Sequence, residues 1–139
     1  MSHNRLILIL CLMNKKVLLI DDDPMFQLIL SRMIEKVGIQ CDVSSYSNGK
    51  LALDYLNEKY SPQFNYLMFL DINMPVMSGW EFLDQIKPLE MIRNNNMTIN
   101  IVTSSTDLSD AKKAGQYDFI DGIISKPVSF DKLNAILRD

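Results

Sequence analysis

Residues 17–24 read Val17-Leu18-Leu19-Ile20-Asp21-Asp22-Asp23-Pro24. Four consecutive apolar residues without period-two alternation describe a strand covered on both faces, as in a parallel sheet. The run stops abruptly at Asp21. Asp23-Pro24 then supplies a helix N-cap with proline at the first helical position, where a missing N–H costs nothing. Phe26, Ile29, Leu30, Met33, Ile34 and Val37 follow at helical spacing and draw one apolar stripe, which Gly38 ends. Strand, acidic turn and amphipathic helix make one βα unit.

The same unit recurs along the chain. Residues 41–46 read as a second, weaker strand, and Ser47-Asn48-Gly49 opens a helix carrying Ala52, Tyr55 and Leu56 on one face, finished before Pro62. Residues 66–70 form a third apolar run, closed by Asp71. After the loop 72–77, Ser78-Gly79-Trp80-Glu81 has the form of a capping box, in which serine and glutamate satisfy each other's free N–H groups. Its helix carries Phe82, Leu83 and Ile86 inward and is ended or kinked by Pro88, and residues 94–96 are a polar break. Residues 99–102 are a fourth strand ending at Thr103, and a short helix over 108–114 is closed by Gly115. Residues 122–125 are a fifth strand ending at Lys126-Pro127, and Ser129 caps a last helix with Phe130, Leu133, Ile136 and Leu137 inward. Five alternating units predict an α/β fold, a (βα)5 doubly wound parallel five-stranded sheet with right-handed crossovers and helices on both faces.

The bulk numbers agree with one such domain. The chain has 139 residues, 47% hydrophobic and 22% charged, an ordinary globular mix. A domain of this size buries roughly two thirds of its unfolded surface and needs no disulfide or metal merely to fold. Cys11 and Cys41 form no CxxC pair and have no histidine nearby, so they read as free thiols in a reducing, cytoplasmic compartment. The one histidine, His3, lies in the N-terminal tail, which leaves the core without a phosphotransfer histidine or a histidine-based zinc site. A net charge of −3 offers no basic excess, so no nucleic-acid partner is expected. Residues 6–13 are a continuous apolar run after Arg5, far short of the roughly 20 residues that span a bilayer. No small-residue cleavage site follows it, so neither a membrane span nor a signal peptide is expected. Residues 1–15 therefore read as an N-terminal extension without an assigned role, and residues 16–139 as the domain proper.

Polar residues close four of the strands: Asp21-Asp22 the first, Asp71 the third, Thr103 the fourth and Lys126 the fifth. In an open α/β sheet the functional crevice lies beyond the carboxyl ends of the strands, so residues distant in sequence converge there. Three carboxylates against one ammonium cannot all ionise cheaply unless a cation joins them. Oxygen ligands with waters suit Mg²⁺, to which the main-chain carbonyl of Asn73 could add one more. Asp71 can attack a phosphoryl group to give an acyl phosphate. Mg²⁺, the Lys126 ammonium and the Thr103 hydroxyl would then face the phosphoryl oxygens from three sides, by positioning and electrostatics.

With these residues in place the chain resembles the response-regulator receiver domains of two-component signalling, over about residues 16–138. The resemblance rests on residues 17–24, on Leu70-Asp71-Ile72-Asn73-Met74-Pro75 with Gly79 following, on Val102-Thr103-Ser104, and on Lys126-Pro127. It implies the flavodoxin-like strand order 2-1-3-4-5. By position, Asp21 and Asp22 match the acidic metal-binding pair, with Asp22 the direct ligand, Asp71 the phosphoacceptor and Asn73 the backbone metal ligand. Thr103 matches the switch hydroxyl and Lys126 the phosphate-binding lysine, with a cis bond to Pro127. The implied partners are a sensor histidine kinase or histidine phosphotransfer protein as donor and a downstream protein target. The domain is expected as a monomer or a phosphorylation-dependent dimer.

The resemblance is incomplete at one internal position. Three residues before the lysine the family often has a tyrosine or phenylalanine that swings inward on activation; here it is Ile123. With the last helix ending the chain, output is expected through protein contact around Thr103, the helix after it and the Ile123 strand. Two other readings compete. A haloacid-dehalogenase-type phosphatase also uses aspartate, Mg²⁺, Thr/Ser and lysine, but needs a second acid where this chain has Asn73, and places its nucleophile after the first strand. A receiver used only for docking, without phosphorylation, would need none of the five polar residues retained here.

Overall fold

The computed structural model describes residues 14–104 and 108–139. The apolar run 6–13, His3 and Cys11 lie outside the described residues. Five strands alternate with helices: β1 (Lys15–Ile20), α1 (Pro24–Val37), β2 (Asp42–Tyr46), α2 (Gly49–Lys59), β3 (Asn65–Asp71), α3 (Gly79–Ile86), α4 (Glu90–Arg93), β4 (Met97–Thr103), α5 (Leu108–Ala114), β5 (Gly122–Ser125) and α6 (Phe130–Arg138). All pairings are parallel and the sheet order is β2-β1-β3-β4-β5, the expected doubly wound arrangement.

The buried runs are unalternating because each strand feeds two cores. Leu18, Ile20, Met68, Leu70, Ile99 and Ile101 point to one face, against Ala52, Leu56, Phe82, Leu83 and Ile86 of α2 and α3. Val17, Leu19, Leu67, Phe69, Val102 and Ile124 point to the other, against Leu30, Ile34 and Val37 of α1 and Leu133 and Leu137 of α6. Each of the Val, Leu, Ile, Phe and Met side chains among them stabilises the fold by about 1.5–3 kcal/mol through removal from water.

The caps fall where the sequence places them. Asp23 accepts from the N–H groups of Met25 and Phe26, Ser78 and Glu81 close a capping box, and Ser129 accepts from Lys132. Gly38 ends α1 at φ +82°, a left-handed conformation that glycine adopts without steric cost.

Two expectations need correction, and the chain adds one element beyond the sequence reading. Ile29 is not part of the inward stripe of α1: it is 51% exposed, because it lies about 100° around the helix from Leu30, on the side that turns away from the sheet. Phe130 is also outside the core. As the first residue of α6 it sits at the α1–α6 rim, with the Lys36 ammonium 5.8 Å from its ring centre. Beyond Pro88 the chain makes the additional short helix α4, which buries Met91, before the polar break at residues 94–96.

Candidate functional site

Asp71 and Thr103 are the last residues of their strands, still within the ladder: Asp71 pairs with Val102 and Thr103 with Ser125. Both side chains therefore start from sheet backbone rather than from loops, the more exact support for a site. Asp21 follows β1 directly, and its N–H donates to the carbonyl of Tyr46 at 3.0 Å, which extends the β1–β2 ladder by one bond. Lys126 follows β5, and its N–H donates to the Thr103 carbonyl at 2.9 Å. The Lys126–Pro127 peptide is cis, as the resemblance implies.

These side chains converge. Oxygens of Asp21, Asp22 and Asp71 all lie within 4.8 Å of one another, with Asp21 and Asp71 buried and Asp22 exposed. Asp21 is used on both oxygens: Oδ1 accepts from the Asp23 N–H at 2.8 Å and Oδ2 from Lys126 Nζ at 2.7 Å. Asp71 Oδ1 accepts from the Asn73 N–H at 3.2 Å, and its Oδ2 stands 3.8 Å from Lys126 Nζ. The ammonium thus leans on Asp21 and leaves Asp71 only partly compensated. Burial, and next the Asp21 carboxylate, push the Asp71 carboxyl up to about 6, against the smaller opposing pull of Lys126 and the Asn73 N–H. The ligand atoms that the three acids offer are all oxygens, and their charge exceeds that of the one ammonium, which fits a hard divalent cation such as Mg²⁺.

Of the residues read from the sequence, Asp21, Asp22, Asp71 and Lys126 come into direct proximity. Thr103 is buried beside them through β4, and the exposed Asn73 reaches the cluster through its N–H. Two residues of α1 escaped the sequence reading. Phe26, taken for core filling, stacks its ring under Lys126 Nζ at 4.3 Å, a cation–π contact. Gln27 donates its side-chain amide to the carbonyls of Asp21 and Tyr46. The signal available was weak: one glutamine beside the apolar stripe of a helix.

The neighbouring loop is tightly built. Gly79 N–H donates to the Ile72 carbonyl at 2.8 Å, and a Cβ at Gly79 would lie 2.5 Å from the Asp71 carbonyl oxygen. Only glycine lets α3 approach the backbone of β3 so closely.

A match to the response regulator receiver domain family covers residues 17–138. The chain belongs to that family. This receiver domain is 32% identical over 131 residues to the probable C4-dicarboxylate response regulator DctR of Priestia megaterium, covering 91% of this chain and 53% of that protein. It is 28% identical over 125 residues to the probable methanogenesis regulatory protein FilR2 of Methanothrix harundinacea, covering 88% of this chain and 79% of that one. Among solved structures, a two-component response regulator from Cytophaga hutchinsonii is 31% identical with a TM-score of 0.79, over 89% of this chain and 94% of that one. The Vibrio cholerae chemotaxis protein CheY4, at 24% identity and a TM-score of 0.71, shares the fold. Hybrid signal transduction histidine kinases of Dictyostelium discoideum carry a matching segment as well, 7% of the length of histidine kinase I. Among the described residues no helix is long and apolar enough to cross a membrane.

Proposed function

We propose that this receiver domain is a phospho-switch of the cytoplasm in which Asp71 accepts a phosphoryl group from a sensor histidine kinase or a histidine phosphotransfer protein. The observation that carries the reading is the buried Asp71 carboxylate, clustered with Asp21 and Asp22 and only partly balanced by Lys126. Such a group resists standing alone as an anion, and gains most from a cation and from reaction.

In the transfer, a carboxylate oxygen of Asp71 forms a bond to phosphorus while the P–N bond of the donor phosphohistidine breaks. The electron pair of that bond leaves on the imidazole, which takes up a proton. Asp21, Asp22 and Asp71, with the Asn73 carbonyl, are the residues that would hold Mg²⁺, which supplies charge neutralisation for the carboxylates and the incoming phosphoryl oxygens. Lys126 presents its ammonium from β5 and Thr103 its hydroxyl from β4, one to each remaining side. Thr103 stands on β4 itself and Lys126 directly after β5, where its ammonium now rests on Asp21 and would turn to the phosphoryl group. Hydrolysis of the acyl phosphate by water resets the domain.

Residues 16–139 make up this unit and residues 1–15 an extension. Output is to a protein target rather than nucleic acid, through the surface around Thr103, α5 and the exposed Ile123, as a monomer or a dimer formed on phosphorylation. The position of Asn73, which cannot protonate a leaving group, weighs against phosphatase chemistry.

Intact mass after incubation with a small-molecule phosphodonor tests the reading. A single phosphoryl gain is expected in wild type with Mg²⁺, and none with EDTA or in Asp71→Asn. No gain in folded, Mg²⁺-binding wild type would sink it and leave a docking module in its place.

A further inference from the structure

We infer that Gln27 is a positioning residue of the acidic pocket: its side-chain amide fixes the plane of the Asp21–Asp22 peptide and so aims the Asp22 carboxylate at the cation site. This rests on the reading of the pocket as an Mg²⁺ site given above.

Asp22 is the exposed member of the acidic trio and, among the described residues, no hydrogen bond or ion pair holds its side chain. Whatever orients it must act through the backbone. The peptide before it is held at Asp21, whose polar groups are all engaged. The Asp21 N–H donates to the Tyr46 carbonyl at 3.0 Å, and its carboxylate takes Asp23 N–H and Lys126 Nζ. The remaining group, the Asp21 carbonyl, accepts from Gln27 Nε2 at 2.6 Å. The same nitrogen donates to the Tyr46 carbonyl at 3.0 Å, so one amide ties the β1–α1 turn to the end of β2.

Gln27 stands on the first turns of α1, whose start is already pinned by the Asp23 cap. The amide therefore has a rigid base and two fixed acceptors. Without it the Asp21–Asp22 peptide loses the one bond that, among the described residues, holds its carbonyl, and can rotate about the bonds on either side. Asp22 would then sample directions away from Asp21 and Asp71. A ligand that must first be oriented binds its metal more weakly, and loss of such an outer partner typically lowers metal affinity by about 10–100-fold.

Mg²⁺ titration by calorimetry, with the metal alone, is the direct test. Gln27→Met keeps the length and apolar stem of the side chain and removes both donors. It is expected to weaken Mg²⁺ binding about tenfold. In phosphodonor assays the half-saturating Mg²⁺ concentration should rise by about the same factor, while the rate extrapolated to saturating Mg²⁺ falls less than about twofold. Ile34→Val, which loosens α1 without touching the turn, should leave Mg²⁺ binding as it is. Equal affinity in Gln27→Met and wild type would overturn the inference while leaving the pocket reading intact. A wild type that binds no Mg²⁺ would overturn both. If Gln27→Met does not fold, the wild type still decides: its Gln27 side-chain amide signals should shift with the same midpoint as the Asp22 N–H during Mg²⁺ titration. Unmoved Gln27 signals beside a moving Asp22 would refute the coupling.

Discussion

The acidic pocket and the surface beside α5 are supported by different physics, though α3 touches both. At the pocket, polar side chains are held by strand ends and by hydrogen bonds to backbone, and Gly79 lies against the Asp71 carbonyl. One residue later, Trp80 faces the other way and stacks on Tyr117 at 5.8 Å with 17° between the rings, under the Lys113 ammonium at 4.9 Å. Tyr117 donates its hydroxyl to Asp84 Oδ1 at 2.7 Å and meets Phe119 edge-on. Ile123, where the family often has its mobile ring, is 39% exposed. The pocket is thus a set of groups that only a narrow choice of residues can supply. The α5 side is an aromatic stack in which Tyr117 is buried and Trp80 and Phe119 pack partly buried against the core. In this chain the charged groups stand at the strand ends, and the aromatic contacts lie apart from them on α3 and the segment after α5.

The largest expected effect tests the rigidity of the pocket. Gly79→Ala would force a Cβ to 2.5 Å from the Asp71 carbonyl oxygen and 2.8 Å from Ile72 Cα, both backbone atoms that cannot yield separately. Relief requires α3 to move off β3, with loss of the Gly79 N–H bond to Ile72. A destabilisation of about 3 kcal/mol is expected, read as a fall in the urea midpoint at unchanged slope. Gly115→Ala, at the end of α5, would meet no atom closer than the Lys112 carbonyl oxygen at 3.4 Å. It should change stability by less than about 0.5 kcal/mol. Equal costs at the two glycines would erase the contrast between a tightly built pocket and a tolerant α5 side.

A smaller effect tests the electrostatics. The Asp71 carboxyl is raised to about 6 by burial and then by Asp21. The unfolded value is roughly 4, so the folded state binds the proton more tightly. Above pH about 6 both states carry the ionised group, and folding bears the cost of the buried charge. Below pH about 4 both are protonated and the cost disappears. In Mg²⁺-free buffer at pH 7.5, Asp71→Asn should therefore be more stable than wild type by about 2 kcal/mol. The advantage should shrink as pH falls from 6 to 4, and it should shrink at pH 7.5 when Mg²⁺ is added. Thermal melts across that pH range check it. A pH-independent difference would mean that the mutation acts through packing and not through charge.

How much of this could be read from the residues follows the same division. The strand ends were legible because buried parallel strands appear as unalternating apolar runs, and Asp21, Asp71, Thr103 and Lys126 stop those runs. The order β2-β1-β3-β4-β5 came with the family resemblance rather than from periodicity. Gln27 was not legible, because its role depends on two carbonyls, Asp21 and Tyr46, that only the folded β1–β2 pair brings within reach of one amide. Phe26 and Phe130 each fit a helical stripe in the sequence, yet one lies under Lys126 and the other at a rim. Helical periodicity gives the angle around the axis but not what stands there. The short helix α4 went unseen for a related reason: four residues are too few to show a period, and Met91 is buried by tertiary contact alone.

The smallest expected effect asks whether the two regions are energetically separate. Tyr117→Phe removes the hydrogen bond to Asp84 and leaves the ring stacked on Trp80. The loss should be about 1 kcal/mol at neutral pH. Burial, then the bond to Asp84, push the Tyr117 hydroxyl up to about 12. Its unfolded value is roughly 10, so its contribution is complete below pH 10 and fades as pH rises toward 12. The stability gap between wild type and Tyr117→Phe should therefore be constant below pH 10 and close above it. The other tyrosines titrate in both proteins and cancel from the difference. Mg²⁺ affinity should be the same in the two, since no hydrogen bond or ion pair of the described residues joins Tyr117 to Asp21, Asp22 or Asp71. A change in Mg²⁺ affinity would mean that strain at Tyr117 reaches the pocket through Trp80 and Gly79. The first turn of α3 would then be the connection between the two regions rather than their boundary.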